Sequence, residues 1–72
     1  MNMITPIIKA EATKRINEFL RKGLTEEESI EMALYKIKEL RKVEPLVVIH
    51  WEIEKVLIVK LSDIRSKTKT NI

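Results

Sequence analysis

A helix stop and a helix start stand three residues apart in this chain, and no other feature constrains its fold as tightly. Gly23 is the sole glycine and follows Arg21-Lys22, so it suits the left-handed position after a helix whose negative end the two cations complement. Thr25 and Glu28 have the spacing of a reciprocal capping box, with Glu26 and Glu27 placed where the next helix is electropositive. Two helices joined by so short a link must be sequential neighbours, antiparallel or angled, with facing apolar stripes.

Both stripes are present. In the first segment, expected to be helical over about 6–22, Ile8, Ala12, Ile16, Phe19 and Leu20 recur at helical spacing, with Thr5 read as N-cap and Pro6 as the first helical residue. Glu11 with Arg15 and Glu18 with Lys22 place an acid four residues before a base on the wet side. The second helix, expected over about 26–42, carries Ile30, Ala33, Leu34, Ile37 and Leu40 and ends where Pro45 drives the residue before it out of helical geometry.

The third segment, 46–61, sorts by period two. Val47, Ile49, Trp51 and Ile53 alternate with His50, Glu52 and Glu54, and β-branched residues abound, which predicts an extended strand. Such a ribbon would run roughly 50 Å at ~3.3 Å per residue and needs a partner for its backbone groups. The Glu54-Lys55 region lacks hairpin residues, so a second copy is the expected partner. The expected fold is therefore α+β: a helical hairpin and a β segment completed as an antiparallel sheet in a homodimer, with Ile49, Trp51, Ile53, Leu57 and Val59 at the interface. The alternative is an all-α three-helix bundle, since Val and Ile become helical where packing demands it.

Seventy-two residues support one hydrophobic core, expected over 1–64, with 65–72 as a basic flexible tail. The absence of cysteine removes disulfides, thiolate metal sites and thiol nucleophiles and suits a reducing compartment, so a cytoplasmic location is expected. No signal peptide is evident, and the most apolar stretch is too short and too charged to cross a bilayer, so no membrane association is expected. A Lys-, Glu- and Ile-rich composition with a single glycine is the mixture expected of heat-adapted proteins or of an AT-rich genome, and a thermophile source is expected.

Chemistry-bearing constellations are sparse. His50, Glu52 and Glu54 would share one face of a strand, but a single strand closes a metal shell poorly, and a solvated face explains them as well. Glu26, Glu27 and Glu28 are accounted for by helix capping. With one His, no Cys and no glycine-rich loop, neither an enzyme nor a cofactor nor a small-molecule substrate is expected. The Gly23 corner departs from a helix-turn-helix, which wants a small residue where Phe19 stands and an aliphatic one where Ser29 stands. A ribbon-helix-helix would need its strand before the helices.

The net charge of +3 permits nucleic-acid binding. Tyr35, Lys38 and Lys42 fall along one side of the second helix with Arg41 beside them, and Arg65, Lys67 and Lys69 extend the positive set. A solvated helix end complementing the dipole explains the same residues without a ligand. The leading expectation is a small homodimeric nucleic-acid-binding or regulatory protein. Its competitor is a protein-interaction module, an inhibitor, adaptor or antitoxin-like subunit, working through an apolar β edge.

Overall fold

The chain leaves its first helix through Gly23, whose φ of +96° is the only left-handed backbone among the described residues. The Gly23 amide donates to the Leu20 carbonyl at 3.0 Å and the Leu24 amide to the Phe19 carbonyl at 3.3 Å, the paired bonds of a Schellman stop. Two residues later the Glu28 amide donates to Thr25 Oγ1 at 3.2 Å, and the Thr25 amide donates back to Glu28 Oε1 at 3.0 Å. The hairpin read from the sequence is built by these four bonds.

The computed structural model describes residues 4–69 and consists of three helices, α1 (Ile4–Leu20), α2 (Glu26–Val43) and α3 (Val48–Lys69). α1 already includes Ile4 and Thr5, so Thr5 is not its cap. The Glu11–Arg15 pair closes at 2.7 Å, whereas the Lys22 ammonium, read as a partner for Glu18, lies 5.2 Å from the Phe19 ring centre. The core is formed by Ile8, Ala12, Ile16 and Phe19 of α1, Ile30, Ala33 and Ile37 of α2, and Ile53, Leu57 and Leu61 of α3.

α3 overturns the α+β expectation. Residues 48–69 are helical, no strand occurs among the described residues, and the sheet-completed dimer falls with it; the architecture is the three-helix bundle. Helix formation satisfies the backbone of this segment from within, which removes the argument that an unpaired ribbon needs a second chain. The β-branched residues cost a few tenths of a kcal/mol each in a helix, and fully burying Ile53, Leu57 and Leu61 returns about 1.5–3 kcal/mol apiece. Burial outweighs propensity.

The helical stripe of α3 was disguised because two of its positions are polar. His50, Ile53, Glu54, Leu57 and Leu61 are all buried, at spacings of three and four. The helix also continues to Lys69, through the residues expected to form a flexible tail; positions 70–72 of that tail lie outside the described residues.

Candidate protein-docking surface

α2 ends under Pro45, and the way it ends shapes the surface around it. The Glu44 amide caps α2 by donating to the Leu40 carbonyl at 2.8 Å, and the Val47 amide donates to the Glu44 carbonyl at 3.2 Å. Leu46 is 92% exposed and Val43 79%, and Val47 lies beside them in the turn at 38%.

The corner is braced from beneath. Arg41 Nε sits 2.7 Å from Glu54 Oε1, out of line for a hydrogen bond, so the contact is ionic. The Arg41 guanidinium also stacks 4.0 Å from the Trp51 ring centre, and Trp51 Nε1 donates to the Pro45 carbonyl at 3.1 Å. His50, itself buried, faces Glu44 Oε1 across 2.8 Å from its Nε2. Four contacts among five side chains and the Pro45 carbonyl thus tie the end of α2 to the first turns of α3, while Val43, Leu46 and Val47 are exposed. A single exposed apolar residue is ordinary, whereas several grouped beside one tied-down turn form a candidate docking patch. From Val43 an apolar groove of about 560 Å³ continues between α1 and α2, floored by Phe19, Ile37 and Leu40.

The expected basic surface is dispersed. Tyr35, Lys38 and Lys42 share an exposed side of α2, but the Lys42 ammonium is 3.1 Å from Glu39 and Arg41 is half-buried against Glu54 and Trp51. Arg65 contacts Glu27 at 3.2 Å and Glu31 at 2.6 Å, near the start of α2 and far along the helix from Arg41. Lys67 is exposed on α3, and the side chain of Lys69 lies outside the described residues. Arg41, Lys42 and Arg65 are each matched to a carboxylate, the first two at the end of α2 and the third against its start.

The expected interface residues also separate. Ile53 and Leu57 are core residues of the same chain and Ile49 packs against that core, while Trp51 and Val59 remain on the surface. His50, Glu52 and Glu54, expected to share a solvated strand face, are divided by the helix: His50 and Glu54 lie on the buried side, facing Glu44 and Arg41, and Glu52 stands beside Lys55. No group of three metal-ligating side chains occurs among the described residues, and no helix there is long and apolar enough to cross a membrane.

Val43, Leu46 and Val47 were missed by sequence reasoning because 46 and 47 were assigned to the strand. The available signal was a proline break between two helices with an aliphatic residue at each side of it. Comparison with models of protein families, with curated proteins and with solved structures finds no match.

Proposed function

We propose that this chain is a non-catalytic protein-interaction module whose docking surface is the α2–α3 corner. The observation that carries the reading is the exposure of Val43, Leu46 and Val47 on a turn braced by the Arg41–Glu54 ion pair, the Arg41–Trp51 stack and the Trp51–Pro45 hydrogen bond. A partner that covers them removes about 25 cal/mol of unfavourable exposure per Å² and meets a surface already ordered, so little entropy is lost on docking. The fitting partner is a protein presenting an apolar patch with a polar rim, Trp51 and Arg41 being the residue types that dominate such contacts. No β edge occurs among the described residues to serve this purpose, and the corner takes its place.

Nucleic acid is the competing ligand class. The matching of Arg41, Lys42 and Arg65 to carboxylates argues against it, because a cation already paired releases fewer counterions on meeting a phosphate.

The test compares the wild-type chain with Leu46→Glu, both immobilised and challenged with a nuclease-treated extract. A protein retained by the wild type and lost by the variant supports the corner; equal recovery by both removes it. Fluorescence anisotropy with duplex DNA at low salt is run in parallel. Tight, steeply salt-dependent binding that survives Leu46→Glu would replace this reading with the nucleic-acid one.

A further inference from the structure

The outward side of α3 carries an order of apolar and charged residues that reads the same from either end, with the sign of the charges exchanged. Val48, Glu52, Lys55 and Val59 recur at spacings of four, three and four, which places them in one line along a helix. That line lies opposite the buried stripe of Ile53, Leu57 and Leu61. Val48 and Val59 are 68% and 58% exposed, and Lys55 Nζ lies 3.5 Å from Glu52 Oε1. Spacings of four and three, repeated, are those of the seam along which two helices pack.

We infer that this face is a self-association surface that pairs with the α3 of a second copy in antiparallel orientation. A two-fold axis midway between Ile53 and Glu54 sets Val48 against Val59 of the second copy and Glu52 against Lys55 of the second copy, and does so twice. Both apolar ends meet apolar ends and both charges meet their opposites. A parallel pairing in register does the reverse, setting Glu52 on Glu52 and Lys55 on Lys55. Each carboxylate then lies between two ammonium groups, its own and its neighbour's, so the charges become a four-membered network. Trp51 and Ile58, exposed along one flank of the line, come level with each other across the axis to within about 3 Å at 1.5 Å per residue, which lengthens the apolar contact. The two Val48 ends lie about 16 Å apart along the common axis, so the pair presents its two α2–α3 corners at opposite ends. This face adjoins the corner at Trp51 but uses none of Val43, Leu46 and Val47, and the inference stands without the corner reading.

The test is sedimentation equilibrium of the full chain from low micromolar to millimolar concentration. The wild type is expected to move from 8.5 kDa to twice that mass. Glu52→Lys and Lys55→Glu each place like charges across the axis and should raise the dissociation constant about tenfold or more, while the double reversal restores the alternation and the dimer. Leu46→Glu should leave the dimer intact, which distinguishes this face from the corner. A wild type that stays monomeric at millimolar concentration overturns the inference. So does a dimer indifferent to both single reversals.

Because the chain has no cysteine, geometry is testable by cross-linking even where a charge variant folds poorly. Oxidised Val48→Cys/Val59→Cys should form a covalent dimer and Val48→Cys alone should not; efficient self-linking of Val48→Cys would place the helices parallel and overturn the pairing.

Discussion

The α1–α2 hairpin and the α2–α3 corner are both tight helix junctions, yet they are specified in opposite ways. The first is held by bonds between residues no more than five apart, namely the Schellman stop at Gly23 and the capping box at Thr25. The second is held by Arg41 with Glu54, Arg41 with Trp51 and Glu44 with His50, pairs that span the turn and form only once α3 is helical. Local chemistry is legible in a sequence because spacing is the geometry. A cross-junction pair becomes legible only after the structure that makes it is known.

The widest separation between the two ways of drawing the third segment comes from Leu57 and Val59. As a strand they share a face and would behave alike; as a helix Leu57 is 0% and Val59 58% exposed. Leu57→Ala should therefore cost about 2–5 kcal/mol, enough to unfold a domain this small, while Val59→Ala stays within about 0.5 kcal/mol by urea denaturation. Comparable losses at both positions would return the segment to period two.

The corner should break next. Glu54→Ala strands the half-buried guanidinium of Arg41 and is expected to cost about 1–3 kcal/mol in thermal unfolding. Combining it with Arg41→Met should recover part of that loss, since an apolar side chain no longer needs the partner. Full additivity of the two would mean the pair is not coupled.

The hairpin yields a smaller effect at each site. Gly23→Ala forces a Cβ into a left-handed φ with open space around it, so the penalty is conformational only, about 1 kcal/mol. Thr25→Ala removes the cap oxygen and should cost about 1 kcal/mol. Helicity by circular dichroism that is unchanged in both variants near the unfolding midpoint would mean packing alone sets the turn.

Acid should affect the hairpin least. The Glu28 carboxyl lies below its ordinary value of 4.5, chiefly because the Thr25 backbone amide donates to it, and the Arg15 side chain lowers Glu11 likewise. Both carboxylates are favoured in the fold, so their contribution is present above pH 4.5 and is lost as pH falls through the lowered folded values. Stability should drop slightly below pH 4.5 in the wild type and less in Glu28→Gln; a rise in stability on acidification would contradict both bonds.

What was readable beforehand follows from the same contrast. The stripe residues Ile8, Ala12, Ile16, Phe19, Ile30, Ala33 and Ile37 are in the core as their spacing required, and Leu20 alone of the α1 set is on the surface. The helical stripe of α3 was hidden by His50 and Glu54, which look solvated until Glu44 and Arg41 are seen to receive them. Drawn as a strand, the segment assigns Ile53 and Leu57 to an interface they do not reach and sets Leu46 within regular structure rather than on a turn.

Trp51 carries a practical consequence. It is the only tryptophan, it stands 42% exposed between the corner and the outward face of α3, and a cation rests on its ring. Its emission responds to water, to the guanidinium and to anything that settles on either surface. Occupancy, pairing of copies and loosening of the junction can thus be followed optically in unlabelled protein, at one wavelength, from a single indole.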